Sequence, residues 1–118
     1  MNQTFFIPGP LPGMNDFEGN TRWAYRRAKA NWDLIISIAI KQAKLKPMQR
    51  VFITLEWREQ SKRRDPSNFT GMGKKFIEDA LVKCGILPDD GWDEIIGWED
   101  SWAVNKDKPG VWVTLEER

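Results

Sequence analysis

Arg50-Val51-Phe52-Ile53-Thr54-Leu55-Glu56-Trp57 is a β-type run, rich in β-branched and aromatic residues and bounded by polar chain on its far side. Its apolar content predicts a strand with much of its surface buried. It decides the fold because helical patterns stand on both sides of it. Upstream, Trp32, Ile35, Ile36, Ala39, Ile40 and Ala43 recur at helical spacing. They predict a long helix from about Arg22 to Lys46, capped by Asn20-Thr21 and stopped by Pro47. Downstream, Phe76, Ile77, Ala80, Leu81 and Cys84 form the apolar face of a second helix over Lys74 to Cys84, with Gly85 just past its end. The polar stretch from Arg58 to Gly73 reads as a loop.

Working outward, Thr4-Phe5-Phe6-Ile7 is a short strand stopped by Pro8-Gly9-Pro10, and Pro8 to Asn20 is a loop rich in Pro, Gly, Asn and Asp. Ile86 to Gly91 is a turn. Two closing strands, Ile95 to Val104 and Val111 to Glu116, are joined by the hairpin signal Asn105-Lys106-Asp107-Lys108-Pro109-Gly110. The order β-α-β-α-β-β predicts one α/β (α+β) domain over residues 1–118, a mixed sheet packed against two helices.

Composition narrows the chemistry. The chain has no histidine and one cysteine, Cys84, so an internal disulfide is excluded, as is a histidine base, and the usual zinc sites are nearly so. Any metal is held by oxygen. The single cysteine, the short apolar runs and the absence of a signal-peptide pattern predict a cytoplasmic protein with no membrane segment. Net charge is only +1, yet residues 78–100 hold eight acids against Lys83 alone, while residues 1–50 hold eight basic and three acidic side chains. A basic half feeding an acidic segment is compatible with a phosphate-gripping surface around a metal centre. Solvated helix faces account for the same counts.

The chemistry-bearing residues lie around the second helix. Arg63-Arg64-Asp65-Pro66-Ser67-Asn68 precedes it, Lys74-Lys75 and Asp79 lie on it, and Asp89-Asp90 follow it. Carboxylates from separate segments repel one another unless a hard cation such as Mg²⁺ or Mn²⁺ sits between them. Lys75 and Asp79, four apart, share a helix face, where a simple ion pair is the plainer reading. Lys62, Arg63, Arg64 and Lys74 are candidate contacts to phosphates, and Arg22, Arg26, Arg27 and Lys29 would extend that patch or form a solvated helix face.

The ordered combination Arg-Arg-Asp-x-x-Asn, a Lys four residues before Asp-Ala-Leu, Lys-x-Gly-hydrophobic and Asp-Asp resembles the RusA family of Holliday-junction resolvases. The likeness extends to the Pro-rich first loop with Asn15, the long first helix and the final hairpin. The resemblance implies a small dimeric, Mg²⁺-dependent endodeoxyribonuclease of phage or prophage type that cuts four-way DNA junctions. By position, Asp65 and Asp90 match the family's catalytic acids and Lys75 its lysine, while Asp79 and Asn68 match supporting positions. The implied metal ligands are Asp65 and Asp90, with Asp79 as a further candidate. Lys75 would stabilise charge on the phosphate, with Lys62, Arg63, Arg64, Asn68 and Lys74 against DNA.

This chain departs from the family pattern at Ser67, where a second acid is usual, and in a longer stretch from Asn68 to Lys75. A serine hydroxyl supplies none of the missing charge. Either Asp79, Asp89 or Glu56 compensates, or metal affinity is reduced. The alternative function is a catalytically impaired, structure-selective DNA-binding protein. Trp32 and Trp112 are expected in the core. Trp23, Trp57, Trp92, Trp98 and Trp102 are open between core, dimer interface and stacking on an unpaired base. Two symmetric cuts on a junction call for a twofold dimer.

Overall fold

The computed structural model describes residues 1–13 and 21–118, with Thr21 described for its backbone alone. The expected cap at Asn20 and the loop asparagine Asn15 lie outside the described residues. Six elements follow one another: β1 (Asn2–Pro8), α1 (Thr21–Gln42), β2 (Val51–Glu59), α2 (Pro66–Lys83), β3 (Ile95–Val104) and β4 (Gly110–Glu117). This is the expected β-α-β-α-β-β order. The strands form one mixed sheet in the order β1-β4-β2-β3.

β2 is its centre. Val51, Ile53, Leu55 and Trp57 alternate with half-buried residues and point toward the helices. β3 lies parallel to β2 and α2 forms the crossover between them, a β-α-β unit. The expected β3–β4 hairpin is not formed. β4 instead inserts between β2 and β1, antiparallel to both. Burial explains the choice, since Val111, Val113 and Leu115 are all fully buried and need a covered, central position. β3 tolerates an edge because its second half, Ser101 to Val104, is exposed. Trp112 falls on the opposite phase of β4 and is 37% exposed, packing on Phe6 across the outer sheet face rather than in the core.

α1 packs Ile36, Ala39 and Ile40 on the core. It ends at Gln42, short of the expected Lys46, because Lys44 adopts a positive φ of 55°. Ala43, expected in the stripe, is therefore exposed.

α2 differs most from expectation. It begins at Pro66 rather than Lys74, so the expected loop through Gly73 is largely helix. Pro66 occupies the first helical position, where its missing N–H costs nothing, and Asp65 is the N-cap. The added turns bury Phe69 and bring Gly73 against Trp57, where a Cβ would lie 2.5 Å from Cη2 of that indole. Phe76, Ile77, Ala80 and Leu81 are fully buried, as expected.

The helix ends in a Schellman reversal. The Gly85 N–H donates to the Val82 carbonyl at 3.0 Å and the Ile86 N–H to the Leu81 carbonyl at 2.9 Å, with Gly85 at a φ of 74°. Ile86 and Leu87 fold into the core, and the chain turns back along the helix. Among the described residues, no helix is long and apolar enough to cross a membrane.

Candidate metal centre

That reversal positions an acidic cluster. Glu78 and Asp79 lie on the last turns of α2, and Asp90 is returned beside them by the Pro88–Gly91 turn. One carboxylate oxygen from each lies within 4.8 Å of the other two. Lys75 Nζ sits among them, 3.5 Å from Glu78, 3.3 Å from Asp79 and 3.7 Å from Asp90. From α1, Lys29 Nζ reaches Asp79 at 3.0 Å and Asp33 at 3.3 Å.

Four carboxylates therefore share two ammonium groups, leaving the cluster with excess negative charge. Burial, then the charge of Asp90, raises the Glu78 carboxyl above its ordinary range, against the opposing pull of Lys75. Lys75 is raised by its hydrogen bond to Asp79. For Lys29 burial is the largest influence and works downward, but the hydrogen bonds to Asp79 and Asp33 outweigh it. Three carboxylate oxygens at this spacing are a donor set for a hard divalent cation. An ion there would relieve the repulsion among the three acids, which adds to the effect of burial on Glu78.

The expected site residues divide between the two ends of α2. Asp79, Lys75 and Asp90 are brought together. Asp65 is not among them. It caps the other end, and Asp79 lies fourteen positions further along, about 21 Å of rise at ~1.5 Å per residue. The stretch through Gly73, expected as a loop, is wound into helix, and this carries Asp65 away from the cluster. Ser67 is exposed in the same first turn. Of the compensating acids, Asp79 lies in the cluster. Asp89 is exposed and accepts the Asp90 N–H at 2.8 Å, while Glu56 pairs with Arg58 on the outer sheet face.

The expected DNA contacts divide as well. Arg64 is held by Glu59 through two hydrogen bonds of 2.8 and 2.9 Å, and Glu59 is the buried charged side chain among the described residues. Lys74 donates to Asp100 at 2.6 Å, and Asp100 also accepts from the Trp57 indole at 2.9 Å. Lys74 and Asp100 thus tie α2, β3 and β2 together, while Arg64 anchors the chain before α2 to the end of β2. Lys62 and Arg63 are exposed, and Arg63 lines a depression of about 650 Å³ with Pro10, Trp32, Asp65 and Asn68.

Glu78 is the cluster acid absent from the sequence expectations, and Glu59 and Asp100 are the unforeseen partners of Arg64 and Lys74. Glu78 carried a usable signal, since it lies three residues after Lys75 and next to Asp79 on the same helix. Glu59 carried none, because only the tertiary fold buries it. No protein-family model matches this chain, and no curated protein matches it.

Proposed function

We propose that this protein is a metal-dependent, structure-selective endodeoxyribonuclease that hydrolyses phosphodiesters at four-way junctions or other branched DNA. The observation that carries the chemistry is the convergence of Glu78, Asp79 and Asp90 around Lys75. The ordered sequence motif supports the substrate class. In this reading Glu78, Asp79 and Asp90 hold Mg²⁺ or Mn²⁺, and Asp65 acts outside the metal centre.

When bound, such an ion polarises a phosphate and lowers the pKa of an attacking water. Lys75 places a mobile positive charge beside the same phosphate, where negative charge develops in the transition state. Lys29 braces Asp79 from α1 through Oδ2, while Oδ1 faces Lys75. Lys62 and Arg63 contact flanking phosphates, a sequence-independent grip. A twofold homodimer acting in the cytoplasm would present two such centres to the two strands to be cut.

The test is cleavage of a synthetic four-way junction with and without Mg²⁺ or Mn²⁺. Metal-dependent nicking that Asp90→Asn abolishes is the expected result. Tight junction binding without cleavage at any metal concentration would assign the protein instead to the non-cleaving DNA-binding class. Absence of DNA binding would remove both.

A further inference from the structure

Trp92 stands 97% exposed on the turn that follows Asp90. An indole carries a large apolar face, and leaving it wholly in water forgoes the burial that places most tryptophans inside. Its surroundings suggest a use. Trp92 forms one wall of a depression of about 300 Å³ whose other lining residues include Glu78, Asp90, Ile95, Ile96 and Trp98. Glu78 and Asp90 are two of the three clustered acids, so the depression opens directly onto the candidate metal centre. Its lining thus combines two carboxylates with aromatic and aliphatic side chains.

We propose that this depression receives an unpaired nucleobase adjoining the scissile phosphate, with Trp92 as its stacking platform. The proposal rests on the function proposed above and names its substrate more narrowly. A phosphate bound through a metal ion at Glu78, Asp79 and Asp90 would have its neighbouring base one sugar away, within reach of the depression that Glu78, Asp90 and Trp92 line. Asp93 and Glu94, which follow Trp92 in the chain, lie outside the acid cluster and disfavour a phosphate backbone beside the indole. A neutral base face is the part of a nucleic acid that it accepts. In continuous duplex both faces of every base are covered by stacking, whereas a branch point or single-stranded flank releases one. Trp92 is thereby a specificity residue for unpaired over paired DNA.

The experiment compares the full-length wild type with Trp92→Ala and Trp92→Phe, using Ca²⁺ in place of Mg²⁺ to separate binding from cleavage. The probes are a four-way junction carrying 2-aminopurine at the branch point and an uninterrupted duplex of the same sequence. Trp92→Ala is expected to bind the junction about tenfold more weakly, in keeping with the usual worth of one base–aromatic stack. It should bind duplex as before and lose the change in 2-aminopurine emission, while Trp92→Phe stays near wild type. Junction affinity unchanged by Trp92→Ala overturns the stacking role; if that variant still nicks junctions in Mg²⁺, the nuclease reading stands without it. A wild type that neither binds nor cuts DNA defeats both. Equal losses on junction and duplex, with a drop in particle mass by light scattering, would assign Trp92 to contact between two copies and overturn the proposal.

Discussion

Asp90→Asn separates a metal centre from a network of ion pairs. Without metal, the substitution removes repulsion between Asp90 and the other two acids, whose oxygens lie within 4.8 Å. At an effective dielectric of ~20 each such pair is worth about 3 kcal/mol before screening. It also removes the 3.7 Å contact to Lys75, whose side chain is 54% exposed and so contributes little. The two effects oppose, and metal-free stability should change by no more than about 1 kcal/mol, toward a gain. With metal the outcome differs. An ion at ten times its dissociation constant adds ~1.4 kcal/mol to the folded state. Over 118 residues at ~2.1 cal/mol/K each, the unfolding entropy is about 0.25 kcal/mol/K, so the midpoint rises by about 6 °C. Thermal unfolding with and without Mg²⁺ or Mn²⁺ is the assay. Wild type should show the shift, Asp90→Asn should lose it, and Asp65→Asn should keep it in full. A wild-type midpoint indifferent to millimolar Mg²⁺ and Mn²⁺, or a shift that survives Asp90→Asn, would refute the assignment.

Further outcomes follow from single contacts. Because the folded state raises the Glu78 pKa, the stability this group confers is present below its unfolded value and lost as pH rises through the folded one; Glu78→Gln should flatten that fall in urea titrations across pH. Gly73→Ala adds a Cβ 2.5 Å from the Trp57 ring, and overpacking less the gain in helix propensity should cost about 1–2 kcal/mol, partly recovered by Trp57→Phe. Glu59→Gln removes the carboxylate that receives both Arg64 hydrogen bonds and should lower the urea-derived stability by about 2 kcal/mol, discounted from a fully buried pair because the Arg64 side chain is 21% exposed. Ser67→Asp puts an acid at the second helical position of α2 and should stabilise the fold by about 0.5 kcal/mol, with the Mg²⁺ requirement for junction cleavage unchanged.

The element order was legible because each element carried its own period. The alternation through β2, the apolar stripes of both helices and the glycine after Cys84 are local signals that tertiary contacts reinforced. The start of α2 was hidden by Gly71 and Gly73, which ordinarily mark chain that is not helical. Within that helix Gly73 serves as the one residue type that fits, because Trp57, sixteen residues upstream, leaves no room for a side chain. Strand pairing was illegible for a similar reason. The Asn105–Gly110 signal marks a reversal, and β3 and β4 do run antiparallel, but β2 lies between them. At the candidate site, Lys75 and Asp79 could be paired from spacing, and Asp90 from its short tether. The roles of Arg64 and Lys74 turned on Glu59 and Asp100, partners on β-strands that no spacing rule connects to them.

The insertion of β4 also sets a timetable for synthesis. β1 emerges from the ribosome first, yet the strand it hydrogen-bonds to is β4, in pairings such as Phe5 with Val113 and Ile7 with Val111. Until residues 110–117 are translated, β1 lacks its sheet partner, and β2 exposes to water the edge that β4 will occupy. A nascent chain ending at Val104 can already assemble β2, α2 and β3, because those contacts are close in sequence. Sheet closure is then a late event of long loop length, and during that interval the open edge of β2 is where a stalled or crowded chain would pair with the wrong strand.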